Sequence, residues 1–337
     1  MTKPGEDNNV LVDTFKRKHN YLRISLTERC NLRCTYCMPA DGIQLSPKEH
    51  IMTYEEIYTI AKEFVDHGVT KIRLTGGEPL VRKDVSLILD KLSSLPVELT
   101  LTTNGVIVDR FIEQFKKCGI TSLNVSLDSL DSAKNENITR RSYFEKVYNN
   151  ILLLVKEGFT VKVNCVLMKG FNDNEIIEFI NLSKDLPVHI RFIEFMPFDG
   201  NRWNMEKLVS LQEIMDKVHS HFNQNEVVKL QDAPHDTTKS YKIKNYNGTF
   251  AIISSVTNPF CDGCNRIRLT ANGQLKNCLF SSSETDLLTS LRQGKPITPI
   301  IAQTIKSKLK IRSGMDTLEK FKKIDGHNNR SMITIGG

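Results

Sequence analysis

The sequence predicts an α/β fold built on a parallel sheet, followed by a smaller unit of different character. Three observations predict it. Six short runs rich in Val, Ile, Leu and Thr recur through the first two thirds of the chain. Stretches with helical spacing of apolar residues lie between most of them. The alternation then stops after Trp203. Strands alternating with helices imply a parallel sheet with right-handed crossovers. Six strands are fewer than the eight of a closed (β/α)8 barrel, so an open partial barrel and a doubly wound sheet both fit. Either fold places a site in the loops at the carboxyl ends of the strands.

The strand-like runs are Tyr21–Thr27, Lys71–Thr75, Val97–Thr103, Ser122–Leu127, Val161–Leu167 and His189–Glu194. Their apolar character is near-continuous or loosely alternating, as in strands covered on both faces. The first helix is expected over Tyr54–His67, where Ile57, Ile60, Ala61 and Phe64 share one face. Thr53 and Glu56 have the spacing of a capping box, and Gly68 stops the helix. Asp84–Leu92, Asp109–Cys118, Phe144–Glu157 and Glu175–Lys184 repeat the pattern, with Gly119 and Gly158 at two of the ends. Beyond Trp203, Leu208–Phe222 reads as one more helix. Lys239–Lys244 and Thr249–Val256 read as a hairpin turning at Asn245–Gly248. Ile297–Lys323 is basic and helical in part. The change of pattern places a boundary near residue 240, dividing the chain into 1–240 and 241–337.

The chain has 337 residues, 39% hydrophobic and 25% charged, an ordinary globular composition that excludes wholesale disorder. It has no apolar run of about 18 residues, so no transmembrane helix is expected. The opening residues lack the apolar core of a secretory signal. The net charge of +7 allows an anionic substrate but is too small and scattered for nucleic-acid binding. Eight cysteines are present, and six fall into two trios. A secreted disulfide framework would be shorter and denser, so the clustered thiols read as metal ligands of a cytosolic protein. Cys118 and Cys165 sit in apolar surroundings and are expected to be buried, inert thiols.

The first trio, Cys30, Cys34 and Cys37, has the spacing C-x3-C-x2-C directly after the first strand. Zinc sites usually close with four ligands. Three thiolates can instead hold three corners of a [4Fe–4S] cubane, leaving one iron open to another ligand. After the second strand comes Gly76-Gly77-Glu78-Pro79. Its glycines allow close approach to the backbone, and the Glu78 carboxylate could accept from an ammonium group. The second trio, Cys261, Cys264 and Cys278, reads C-x2-C-x13-C, with Arg266 and Arg268 just after the pair. A second open cubane fits it, although spacing alone leaves zinc possible. Arg23, Arg73, Lys162 and Arg191 each place a charge inside a strand-like run, where a partner is required. Together with Arg266 and Arg268 they suggest a cationic lining for a triphosphate. No P-loop sequence is present.

The run RCNLRCTYC, with Tyr36 before its last cysteine, resembles the hallmark of the radical S-adenosylmethionine superfamily, and the GGEP segment fits it. The runs LTTNG, SLNVSLDSLD, VKVNCVLMKGFND, IRFIEFMPF and CDGCNRIRL narrow the likeness. Within the superfamily the chain resembles the GTP 3′,8-cyclase family of molybdenum cofactor biosynthesis, from about Tyr21 to Phe280 and again at Gly336–Gly337. It departs from that family over roughly Thr289–Arg330, where the basic run before the final glycines is reduced to His327–Arg330.

The resemblance implies an incomplete (β/α)6 TIM-like barrel with a C-terminal iron–sulfur cluster domain. It implies two [4Fe–4S] clusters, on Cys30, Cys34, Cys37 and on Cys261, Cys264, Cys278. The first binds S-adenosylmethionine, whose reductive cleavage yields a radical that takes hydrogen from the ribose 3′ carbon of GTP. The second cluster binds the guanine edge. The resemblance assigns Tyr36, Gly77, Ser126 and Met196 to S-adenosylmethionine. It assigns Arg23, Arg73, Thr102, Lys162, Arg266, Ile267 and Arg268 to GTP, and gives the tail Gly336–Gly337 a part in activity. Asn104 and Asp128, at strand ends, are placed to orient neighbours. The implied partners are GTP, a downstream cyclic pyranopterin monophosphate synthase and a reductant protein. The family also allows a homodimer, and neither nucleic acid nor membrane is expected. Two rival readings are a peptide-modifying radical enzyme with auxiliary clusters and a zinc-dependent nucleic-acid-binding protein. The first usually carries more C-terminal cysteines, and the second needs four-ligand sites and a concentrated basic face.

Overall fold

The computed structural model describes residues 10–39, 42–322 and 329–337. The expectations for the opening nine residues, Lys323 and His327 lie outside the described residues. Among the described residues twelve strands form one sheet: β1 (Tyr21–Ser25), β2 (Lys71–Thr75), β3 (Glu98–Thr103), β4 (Ser122–Ser126), β5 (Thr160–Leu167), β6 (His189–Glu194), β7 (Val227–Lys229), β8 (Lys239–Ile243), β9 (Thr249–Ile253), β10 (Arg266–Leu269), β11 (Gln274–Lys276) and β12 (Thr285–Asp286). Their order is β12-β11-β10-β1-β2-β3-β4-β5-β6-β9-β8-β7. The central run from β10 through β9 is parallel throughout. β10 pairs onward with β11 and β9 with β8, so the sheet remains open.

The helices are α1 (Tyr54–Asp66), α2 (Val85–Leu92), α3 (Ile112–Lys117), α4 (Ser132–Thr139), α5 (Phe144–Lys156), α6 (Ile176–Asp185), α7 (Leu211–His221), α8 (Leu288–Arg292), α9 (Thr298–Lys306), α10 (Leu318–Lys322) and α11 (Met332–Ile335). α1 begins at the expected capping box: Glu56 N–H donates to Thr53 Oγ1 at 3.3 Å, and Thr53 N–H donates to Glu56 Oε2 at 2.7 Å. Gly68 follows it at φ +106°, a conformation that suits glycine. The stretch expected as one helix over Asp109–Cys118 starts as a 3-10 turn at Val108–Phe111 before α3. α4 was not expected. Its sequence SAKNENIT has no apolar stripe, and Asp131 starts it by accepting from Lys134 N–H at 2.8 Å.

The parallel strands are two-faced rather than apolar on both faces. Leu22, Ile24, Ile72, Leu74, Leu101, Leu123, Val125, Val161, Val163, Ile190 and Phe192 are buried in the core shared with the helices. The alternate residues of the same strands point to the other face, as the twofold repeat of a strand requires. The expected hairpin forms from β8 and β9, with β7 added at its outer edge. Residue 240 lies within β8, and pairing continues through it. Segments beyond β6 therefore border the six-strand unit on both sides, with β9 beside β6 and β10 beside β1. Among the described residues no helix is long and apolar enough to cross a membrane.

The capping box gives a check on how α1 is held. Thr53→Ala should lower the unfolding free energy by about 1 kcal/mol, measured by urea denaturation, and Thr53→Ser should restore most of it.

Candidate active site

Strand register carries the polar face into one place. Arg23 lies beside Arg73 on β2 and beside Arg268 on β10. Thr102 lies beside Asn124, Asn124 beside Lys162, and Asn164 beside Arg191. These side chains line a cavity of about 390 Å³, whose wall also includes Tyr21, Lys71, Arg266, Cys261, Cys264 and Cys278. A second cavity, of about 190 Å³, is lined by Cys30, Cys34, Cys37, Tyr36, Gly77 and Ser126. Thr102, Asn164, Ile193, Met196, Met332 and Gly337 belong to both walls, so the two cavities adjoin. One cysteine trio therefore faces each cavity.

The first trio sits in a loop tied to its neighbours. Cys37 N–H and Met38 N–H both donate to Cys34 O at 3.0 Å. Asn104 at the end of β3 donates through Nδ2 to Asn31 Oδ1 at 2.7 Å and reaches Cys30 Sγ at 3.7 Å. Gly77 N–H donates to Thr27 O at 2.7 Å, and Glu78 N–H donates to Arg29 O at 2.8 Å. A Cβ on Gly77 would stand 2.4 Å from Arg29 O, so only glycine lets these two loops close on each other. Tyr36 donates its hydroxyl to Asp128 Oδ2 at 2.7 Å, while Asp128 Oδ1 accepts from Val166 N–H at 2.8 Å.

Glu78 corrects one expectation. Its carboxylate does not face the cavity. It is fully buried and accepts from Leu80 N–H at 3.1 Å, Thr103 Oγ1 at 2.9 Å and Asn104 N–H at 2.7 Å. It braces the loops after β2 and β3 from behind, and burial pushes its pKa up to about 7. The Ile267 side chain is buried in the main core and is not part of the cavity wall. Cys118 and Cys165 are both buried.

The two trios differ electrostatically. Burial, with Glu78 adding to it, pushes Cys30 up to about 11. Burial, Asp128 and the neighbouring thiols push Cys34 and Cys37 up as well. Such thiols form thiolates when a metal displaces their protons. Burial also acts on Cys264, but Lys308 and Arg266 outweigh it and lower the thiol to about 6. Among the described residues no group of three or more His, Cys, Asp or Glu side chains closes round one ion. Three soft sulfur donors per trio, spread over a cavity wall, suit the separate corners of an iron–sulfur cubane better than a tetrahedral zinc.

The larger cavity is crowded with positive charge. Burial, then Arg191, Arg73 and Lys71, lower Lys162 to about 8. Burial and Arg73 lower Arg191 to about 10. Lys71 is paired with Glu98 at 2.7 Å on the rim. Arg23 Nε, Thr102 Oγ1, Asn164 Oδ1, Arg191 Nε and Arg266 Nη2 are buried without a hydrogen-bond partner. Asn164 Oδ1 is an acceptor, but the guanidinium and hydroxyl donors among these atoms call for a ligand rich in anionic oxygens. The tail enters here. Gly336 O accepts from Arg268 Nη1 at 2.7 Å, and Gly336 has φ +90°. A Cβ there would stand 2.7 Å from both Ser25 Cβ and Thr75 Oγ1. Arg330, the last residue of the reduced basic run, pairs with Glu284 at 2.6 Å.

Tyr21, Lys71, Asn124, Asn164 and Lys308 were missed at the level of sequence. For Tyr21, Lys71 and Asn164 the available signal was their place at alternate positions of the strands that carry Arg23, Arg73 and Lys162, and for Asn124 its place two residues before Ser126 on β4. Lys308 lies in the basic stretch after α9 and carries no local motif.

Two family models match adjoining parts of the chain: the Radical SAM superfamily over residues 24–183 and Molybdenum Cofactor Synthesis C over residues 188–315. The chain is therefore a radical S-adenosylmethionine protein, a class that carries S-adenosylmethionine and a [4Fe–4S] cluster. It is 47% identical to the mitochondrial GTP 3′,8-cyclase of Arabidopsis thaliana over 99% of this chain and 85% of that protein. It is 42% identical to the GTP 3′,8-cyclase of Peptoclostridium acidaminophilum over 98% of this chain and 100% of that protein. With molybdenum cofactor biosynthesis protein 1 of Homo sapiens it shares 45% identity over 96% of its own length, but spans only 51% of that protein. The chain belongs to the GTP 3′,8-cyclase family. The partial-barrel fold is shared with Streptococcus suis SuiB, at a TM-score of 0.62 and 16% identity, covering 86% of this chain and 67% of that one.

The brace role of Glu78 is testable. Glu78→Ala leaves several buried donors unsatisfied and should cost at least about 2 kcal/mol of stability in denaturant unfolding.

Proposed function

We propose that this chain converts GTP into 3′,8-cyclo-7,8-dihydroguanosine 5′-triphosphate, the first step of molybdenum cofactor biosynthesis. The observation that carries the reading is the cationic, ligand-starved cavity adjoining the thiol-lined one. In the first cavity Cys30, Cys34 and Cys37 hold a [4Fe–4S] cluster, and Tyr36, Gly77, Ser126 and Met196 surround S-adenosylmethionine. When bound, that pair supplies one-electron chemistry that removes the hydrogen from the ribose 3′ carbon. Cys261, Cys264 and Cys278 hold a second [4Fe–4S] cluster at the far side of the larger cavity.

Arg23, Arg73, Lys162, Arg266 and Arg268 take the triphosphate, relieving their mutual repulsion. Thr102 stands on the shared wall, where the ribose would lie between the two trios. Fixing both ends of the nucleotide holds C3′ over the guanine C8 to which it bonds, and proximity of this kind supplies much of the rate. Burial of the site keeps water from the reactive carbon. The Gly336–Gly337 tail closes the junction between the cavities, with Arg268 held by its carbonyl. The product passes to a cyclic pyranopterin monophosphate synthase, and a separate reductant protein supplies the electron. We divide the chain functionally near residue 240, before the second trio.

Anaerobic reconstitution tests the reading. The wild-type chain should hold about eight irons. Cys261→Ala should hold about four, still cleave S-adenosylmethionine and lose GTP cyclisation. Unchanged cyclisation in that variant would overturn the substrate role of the second trio. Arg266→Ala should weaken GTP binding with S-adenosylmethionine binding unchanged, measured by calorimetry.

A pH dependence follows from Lys162. It binds phosphate only when protonated, and its pKa in the free protein is lowered to about 8. GTP affinity should therefore hold below that pH and fall as pH rises through it, with proton uptake on binding above it. Calorimetry in two buffers measures the uptake, and Lys162→Arg should flatten the profile.

A further inference from the structure

The second trio is backed by a buried polar network that the GTP contacts do not use. Lys308 follows α9 and is 3% exposed. Its ammonium donates to Cys264 Sγ at 3.4 Å and to Arg266 O at 3.0 Å. Among the described residues no carboxylate forms an ion pair with it. Asn277, next to Cys278, donates through Nδ2 to Thr304 O at 2.9 Å and Ser307 Oγ at 3.2 Å, which fixes the end of α9 against the trio. From the other side Arg17 donates through Nη1 to both Cys261 O and Lys310 O at 2.8 Å, and through Nη2 to Leu309 O at 3.0 Å. Asp13 holds Arg17 at 2.6 Å and lies 3.2 Å from His19. The segment Lys308–Lys310 is thus clamped behind the Cys261–Cys264 loop, and Lys308 cannot swing away into water.

We propose that Lys308 is a positioning residue of the second cluster, whose hydrogen bond to the Cys264 sulfur and buried positive charge hold that cluster's reduction potential above the value thiolate ligation alone would set. The proposal rests on the two-cluster reading above. The physical reason is direct. Reduction adds negative charge to the cluster, and a fixed cation in a water-poor site stabilises the more negative state. A hydrogen bond to a ligand sulfur draws electron density from it in the same direction. The first trio differs in charge: Leu32 N–H and Asn104 Nδ2 donate to Cys30 Sγ, but Asp128 and Glu78 lie behind the trio and among the described residues no ammonium donates to its sulfurs. Lys308 therefore acts on one cluster of the two.

The test is an anaerobic redox titration of the reconstituted full-length chain, followed by electron paramagnetic resonance, with iron counted on every sample. In Lys308→Met and in Lys308→Gln the second cluster's midpoint should move to a more negative potential. The first cluster's midpoint should stay in place, with about eight irons retained. Lys308→Arg should return the midpoint close to wild type. If the Met variant loses the second cluster, the Gln variant, which keeps a polar side chain and removes the charge, decides. Midpoints equal to wild type in the uncharged variants with the iron retained would overturn the proposal. So would loss of the second cluster from the Gln and Arg variants alike, because the lysine would then be structural only. A wild-type chain holding only about four irons would instead overturn the two-cluster reading on which the proposal rests.

Discussion

Arg23, Arg73 and Arg268 stand side by side in one row of the sheet, and among the described residues no carboxylate forms an ion pair with them, although Asp236 lies on the same cavity wall. The lattice of parallel pairing makes this arrangement unavoidable. Once Tyr21 is set against Lys71 and Arg266, every second residue of β1, β2 and β10 must face the same side. The apolar residues between them are committed to the core, so the register could slip only by exchanging a buried aliphatic row for a charged one. Hydrophobic burial on one face therefore holds the cations together on the other. Each buried Leu or Ile contributes about 1.5–3 kcal/mol, and there are many of them. That summed stabilisation is what allows like charges to remain crowded on the opposite face.

The charge is divided with the same economy of means. Carboxylates collect behind the first trio, where Glu78 ties loops together and Asp128 holds the Tyr36 hydroxyl. Cations collect around the second, where Arg266 and Lys308 reach Cys264. The region between the trios is walled by side chains of modest polarity, including Thr102, Asn164, Ile193 and Met196. A molecule lying across it meets sulfur at both ends and positive charge along one flank.

Much of this was legible in the chain, for identifiable reasons. β2 and β6 match their expected bounds because an apolar run between two helices signals itself locally. α1 was legible to its cap because Thr53 and Glu56 act within one turn. The strict two-faced alternation was harder to see. Threonines and asparagines on the cavity side read as ordinary strand residues until their neighbours across the sheet are known. β10 was not recognised as a strand, since RIRL follows a cysteine pair and its partner lies far away in the chain. α4 was invisible because its polar sequence offers no stripe. Glu78 misled because a carboxylate beside glycines looks available to a ligand, and only the fold reveals that three internal donors already occupy it. Lys308 escaped because its significance comes wholly from what packs against it.

The placement of β10 has an implication for how the chain is made. One flank of β1 is covered by β2, about fifty residues on, but the other waits for a strand on the far side of the molecule. Asn20 and Asn265, which meet at the foot of that seam, are 245 positions apart. During synthesis the opening strand therefore emerges with one row of amides and carbonyls bare, and stays so until most of the polypeptide has left the ribosome. The polar inward face of β1, with its arginine, makes that bare flank a poor template for sticking to other nascent chains.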